Sequence, residues 1–207
     1  MADDTGRRER GKRLKQQRIF AAARDLFDEF GYAQVTTQQV ADRADVAVGT
    51  VFRYAATKAE LLLMVRNEDV RHAVRRGLDA AGAVPDAAEA VHAALSPLFE
   101  TAAQRASDAA VYQRELMFGD ADEPYRADGL AVVAELEDGI ARILTGGQES
   151  PAARSAARAI FACAHIVLVR PRGEGRFDTS DLPRQIAQIV AGYRAGAADT
   201  AADPTAK

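Results

Sequence analysis

The chain has 207 residues, with 27 Lys+Arg against 30 Asp+Glu for a formal charge of −3, and 48% of it is hydrophobic. That balance excludes disorder throughout and leaves enough apolar residues for one domain plus a small appendage, each with a core. The longest apolar run, Ala159 to Val169 interrupted only by His165, falls short of the ~20 residues of a membrane span, and no membrane partner is expected.

The N-terminus turns basic without an apolar stretch and so lacks the pattern of a secretory leader. Cys163 is the single cysteine, which permits no internal disulfide and makes a reducing cytoplasm the expected compartment. Charge is unevenly spread. Residues 1 to 18 hold seven basic and three acidic side chains and stand at +4, residues 19 to 76 balance, and residues 77 to 207 come to −7. A basic arm ahead of a folded segment is either a phosphate-contacting element or a solvated tail. We expect a flexible arm over 1–18.

In chain order, Ile19, Ala23, Leu26, Phe27 and Phe30 recur at helical spacing and predict an amphipathic helix that Gly31 closes in a left-handed cap. Thr36 with Gln39 is a capping box for a short helix through Ala44. Asp45-Val46 makes a turn, Val48 to Tyr54 forms a third short segment, and Thr57 with Glu60 is a second capping box opening a long helix to about Leu78. Gly77, Gly82 and Pro85 place a domain boundary near residue 80, giving domains over 19–80 and 81–198 and a frayed tail over 199–207.

The alanine-rich remainder favours helix. Asp86 with Glu89 caps a helix that contains Pro97; another runs from about Ser107 to Gly119, and another from near Pro124 to Gly146. Ser150-Pro151 starts the helix carrying the apolar run. Residues 172–175 read as a loop. A last helix from near Ser180 presents Leu182, Ile186, Ile189, Val190 and Tyr193 on one stripe. The fold class expected is all-α.

Two short helices joined by a tight turn between two longer ones form a helix-turn-helix, whose second helix is sized for a DNA major groove. Gly31-Tyr32, Thr36-Thr37, Val40-Ala41, Val46 to Tyr54 and Lys58 to Leu62 together resemble the DNA-binding segment of the tetracycline-repressor (TetR) family of bacterial transcriptional regulators. The resemblance implies a three-helix DNA-binding unit, a linking helix, and a larger effector-binding and dimerising body. It also implies double-stranded palindromic operator DNA and a second copy of the chain as partners.

By that resemblance Thr37, Gln38, Thr50, Tyr54 and Lys58 lie at the DNA, the threonines, Tyr54 and Lys58 holding phosphates, while Val48, Gly49 and Arg53 face base edges. Each has a plainer reading: Thr36 and Thr37 as helix caps, Tyr54 as half core, Arg53 as a solvated charge. Four departures from the family pattern stand out: Asp45 where the turn has Gly, Ala47 where a Ser caps the recognition helix, Phe52 where a Tyr meets a phosphate, and Ala55 where a Phe packs under the long helix. Phe52 is expected to pack rather than contact, and Ala55, in place of a Phe, to loosen packing under the long helix.

In the body, Phe99, Tyr112, Phe118, Phe161 and His165 lie on helices that in this family enclose an unidentified small-molecule effector; as aromatics at helical spacing they serve equally as core. The acidic group Asp120, Asp122 and Glu123 reads as a solvated loop, and His72, His92 and His165 fit no zinc spacing. No cofactor is expected. No nucleophile, base and oxyanion constellation is present, so an enzyme is not expected. The function expected is a homodimeric repressor, paired through its last two helices and released by an effector. The alternative is a helical adaptor or activator of the same fold.

Overall fold

Strong helix formers fill the first thirty positions, and the backbone uses them. In the computed structural model, which describes residues 2–170 and 176–202, helix α1 runs from Ala2 to Phe30. The segment expected as a flexible arm over 1–18 is therefore helical. Arg, Lys, Gln, Glu and Leu all have high helix propensity, and Gly6 and Gly11 subtract only about 1 kcal/mol each. Of the apolar stripe that begins at Ile19, Ile19, Ala23, Leu26 and Phe27 are buried, while Phe30 is half exposed. Gly31 ends the helix at φ 75°, ψ 158°, an extended positive-φ conformation open essentially to glycine alone, rather than the left-handed cap expected.

A 3-10 turn, Tyr32–Gln34, leads to α2 (Thr37–Arg43), α3 (Val48–Phe52) and α4 (Lys58–Ala81). The remaining helices are α5 (Ala87–Gln104), α6 (Ala106–Phe118), α7 (Pro124–Thr145), α8 (Pro151–Val169) and α9 (Leu182–Ala202). Nine α-helices thus run through the described residues, in the order that spacing predicts and, apart from the start of α1, close to the predicted bounds. The caps fall where the sequence puts them. Asp86 accepts from the amides of Ala88 and Glu89, Ser150 accepts from Ala153 ahead of Pro151 at the first helical turn, and Pro97 lies inside α5. The loop expected at 172–175 and the last residues of the expected tail lie outside the described residues.

The chain divides into two compact units, Met1–Glu68 with Ser107–Gly129, and Asp69–Ala106 with Leu130–Lys207. The sequence places a boundary near residue 80; in the structure α4 passes from the first unit to the second, and α6 with the start of α7 belongs to the first. In the first unit α1 packs on α2 and α2 on α3. In the second, α5, α8 and α9 pack on one another. Val74, Val91, Leu95, Leu136, Ile140, Ile160, Leu182 and Ile186 form its core. Close approach of α4 and α5 depends on Gly77, where a Cβ would overlap the Ala94 carbonyl. Helix α8 is apolar and long enough by composition to cross a membrane, yet one side of it, through Ala153, Ala157, Ile160 and Ala164, is built into this core.

Candidate nucleic-acid interface

The helix-turn-helix is held by local chemistry. Thr36 accepts from the Gln39 amide at 3.2 Å while the Gln39 side chain accepts from the Thr36 amide at 2.7 Å, the reciprocal capping box the sequence predicts. Asp45 carries the turn at φ 50°, the one positive-φ residue other than glycine among the described residues. Arg18 braces it, donating to the Asp45 carbonyl at 2.7 Å and to its carboxylate at 2.8 Å. As a surface ion pair this adds little stability, but it fixes a backbone conformation that costs an aspartate energy. Arg18, counted with the basic arm in the sequence, is committed to the turn.

The next helix, α3, starts without a side-chain cap: Ala47 offers none, and the Thr50 amide reaches the Ala47 carbonyl at 2.7 Å. Its inward residue is Val51, fully buried, with Ala55 buried just beyond. Gly49, Phe52 and Arg53 are exposed and Val48 and Thr50 half-buried, so α3 presents a free outer face. The expectation that Phe52 packs fails here. Val51 and Ala55 already occupy the inner side of this one-and-a-half-turn helix, and Phe52, next to Val51, is turned outward with 48% of its surface in solvent.

Other expected contacts are partly engaged within the chain. The Tyr54 hydroxyl donates to the Lys12 carbonyl at 2.9 Å, tying α3 to α1. Gln38 donates to Asp42 at 2.7 Å. Lys58 sits 4.2 Å over the Tyr32 ring and donates to the Ala33 carbonyl at 3.4 Å; burial lowers its pKa, against a raising influence from Asp108. Thr37 is half-buried in the first turn of α2.

Behind this face lies a polar hub that spacing in the sequence does not announce. Arg66 on α4 is buried and donates to Asp28 on α1 at 2.8 Å and to Asp108 on α6 at 3.0 Å. The other Asp108 oxygen accepts from the Tyr32 amide at 3.0 Å. The next residue, Asn67, donates to the Tyr125 carbonyl and to Asp128, and accepts from the Tyr112 hydroxyl at 2.9 Å. Tyr112, expected at an effector pocket, is instead buried in the first unit. A buried guanidinium costs several kcal/mol unless its partners are in place, so α6 is fixed to α4 by necessity.

Glu123 corrects a second expectation. Asp120 and Asp122 are exposed as a solvated loop should be, but Glu123 is buried, near Glu60, which is itself 2% exposed. Glu60 accepts from the Ala56 amide and Glu123 from the Thr57 hydroxyl, and each keeps one oxygen without a hydrogen bond. Burial raises the Glu123 pKa, Glu60 adds to it, Thr57 opposes it, and Glu115 and Asp120 raise it further. A carboxyl raised on folding stabilises most below its ordinary range and loses that contribution as pH rises through the raised value. Glu123→Gln is therefore expected to raise stability by about 1 kcal/mol at neutral pH, with the gain vanishing near about pH 4. Urea unfolding at both pH values checks this; a loss at pH 7 would show that the carboxylate is favourably held. No cluster of three or more His, Cys, Asp or Glu able to hold a metal occurs among the described residues.

Comparison with known proteins decides what this arrangement is. Residues 19–65 match the family model of bacterial regulatory proteins, tetR family. The HTH-type transcriptional repressor KstR of Mycobacterium tuberculosis is 44% identical over 52 residues, 25% of this chain and 24% of that protein. Over residues 19–65 the chain is therefore similar to the TetR family. It spans about a quarter to a third of the length of the curated relatives it matches. Fold similarity runs further. A TetR transcriptional regulator from Rhodococcus sp. RHA1 superposes with a TM-score of 0.66 at 21% identity over 88% of this chain and 97% of that one. FadR of Bacillus subtilis, solved in complex with stearoyl-CoA, gives 0.60 at 22% identity over 86% and 98%.

The five residues expected around an effector divide between the units, Phe99, Phe161 and His165 falling in the second and Tyr112 and Phe118 in the first. Phe99 and Phe161 pack, partly buried, against the core of the second unit. His165 lies 6.0 Å from the Phe161 ring, and burial lowers its pKa. Tyr112 and Phe118 belong to the first unit, and Phe118, the last residue of α6, is 80% exposed. The chain turns immediately after it, at Gly119, whose amide donates to the Glu115 carbonyl at 2.8 Å. The second unit also carries an open groove of about 930 Å³ between the start of α8 and α9, lined by Ser150, Pro151, Ser155, Ile189 and Tyr193 among others.

Proposed function

We propose that this chain is a TetR-type regulator, a homodimeric, cytoplasmic repressor that binds a palindromic DNA operator and is released by a small molecule seated in its second unit. The observation that carries the reading is the outer face of α3, where Gly49, Phe52 and Arg53 are exposed while Val51 anchors the helix from within. A helix held by one side and bare on the other is what major-groove entry requires. Positive charge accompanies it: Arg8, Arg10, Lys12, Arg13 and Lys15 are exposed along the first half of α1, supplying sequence-independent attraction to phosphates. The fold shared with a regulator solved with an acyl-CoA supports an effector seat in the helical body, and nothing in the site suggests catalysis.

Pairing draws support from α8. Ala159, Ala162 and Ile166 recur at three- and four-residue spacing on its exposed side, with Ile166 49% exposed. Such a stripe wants cover, which a second copy provides in a symmetric, self-complementary way. The two half-sites of a palindrome are then gripped together. Effector release follows if the small molecule binds better to a dimer whose recognition helices are misplaced for successive major grooves.

The experiment is selection of binding sites from a random duplex pool, followed by Arg53→Ala on the selected site. The loss should be about 1 to 3 kcal/mol there and smaller on random DNA, because a bidentate contact to a base edge discriminates. Equal losses would make Arg53 a phosphate contact, and a pool that yields no enriched sequence would leave the adaptor reading.

A further inference from the structure

The exposed face of α3 holds an apolar element that hydrogen-bonding and phosphate contacts leave unexplained. Phe52 is 48% exposed. Val48 lies one turn before it on the same side, half-buried, at the i, i+4 spacing that brings side chains together. Gly49 lies i, i+3 from Phe52 and is exposed, and a Cβ built there would meet nothing within 4 Å. Two apolar side chains thus flank a place with no side chain at all. Arg53 follows directly, exposed.

We propose that Phe52 and Val48 read the 5-methyl group of a thymine in the major groove, with Gly49 admitting the base edge, so that each half-site carries an A·T pair whose thymine sits against this notch. The inference rests on the DNA-binding reading above. In the major groove the four base pairs differ in their donors and acceptors, and the thymine methyl is the one apolar feature displayed there. A ring and a branched aliphatic side chain offer no hydrogen bond to any base, so they discriminate only by taking that methyl out of water. Arg53, one residue on, supplies hydrogen bonds to a neighbouring pair.

The test uses the full chain and the duplex that it selects from a random pool. Each thymine of that duplex is replaced in turn by deoxyuridine, which keeps the pairing and the O4 acceptor and removes only the methyl. At one thymine in each half-site the affinity should fall about fourfold, the effect of losing one buried carbon, and replacement in both halves should multiply the losses. Phe52→Ala should bind the unmodified duplex about as weakly as the wild type binds the deoxyuridine one and should be insensitive to the methyl, while Phe52→Tyr should retain the sensitivity. Helical content and melting of Phe52→Ala should match the wild type, since the ring supports no core. A scan with no methyl-dependent thymine, or a dependence that survives Phe52→Ala, overturns the inference. Failure of the pool to yield any preferred sequence refutes DNA recognition itself, and is seen before any thymine is altered.

Discussion

Asp108→Ala should destabilise the first unit by about 3 to 5 kcal/mol, the usual cost of removing one partner from a buried ion pair. Three groups lose an acceptor at once, the Ser107 hydroxyl, which donates to Asp108 at 3.1 Å, among them. Arg66, 6% exposed, keeps Asp28 but loses its 3.0 Å bond to α6, and the Tyr32 amide loses the carboxylate that accepts it. Lys58, beside Tyr32 and under the raising influence of Asp108, loses part of what keeps it charged. Urea unfolding followed by far-ultraviolet circular dichroism measures the loss. Asp108→Asn, which keeps the shape and one acceptor, should recover part of it. A loss below about 1 kcal/mol would mean that Asp28 alone satisfies the guanidinium.

The second large effect concerns assembly. Ile166→Asp should convert the dimer to monomers in sedimentation velocity and weaken operator binding by about 10²- to 10⁴-fold, the gain that joining two half-site contacts confers. The subunit itself should stay folded, because Ile166 is half exposed. The contrasting variant is Ile186→Asp. From the sequence alone Ile186 belongs to the stripe expected at the dimer interface, but it is fully buried within its own chain, together with Leu182 and Val190. A charge there should unfold the second unit rather than separate two intact ones. If Ile166→Asp remains dimeric, the interface lies elsewhere.

This reversal shows which information is legible in a sequence. Features settled within a few residues are readable: the Thr36–Gln39 box, the Asp86 and Ser150 caps, the tight turn at Asp45. Each involves groups that are neighbours along the chain whatever the rest of the protein does. The choice of buried face on α8 and α9 is not readable in this way. Both helices are apolar on more than one side, and periodicity cannot say whether an apolar side meets its own chain or another. Long-range polar pairing is illegible for a related reason. Arg66 and Asp108 stand 42 positions apart, and each alone looks like an ordinary surface charge. Phe52 is a third kind of case. An apolar side chain implies packing on average, and only the prior occupation of the inner side by Val51 and Ala55 puts it outside. The first half of α1 is illegible for another reason: the apolar face begins only at Ile19, whereas helix propensity needs no such face to extend a helix.

The assignment of Ser107–Gly129 to the first unit has a consequence for how the protein is made. The ribosome delivers the helix-turn-helix first, yet Asp108, Tyr112 and Asp128, which Arg66 and Asn67 require, arrive only after a further 42 to 61 residues. At the usual 5 to 20 residues per second, completing that interval takes about 3 to 12 seconds. Throughout it the nascent chain holds a guanidinium and an amide destined for burial with most of their partners unmade. The recognition surface is thus completed only when more than half of the polypeptide exists, and a gene truncated near codon 80 would encode the whole motif without the residues that let it settle.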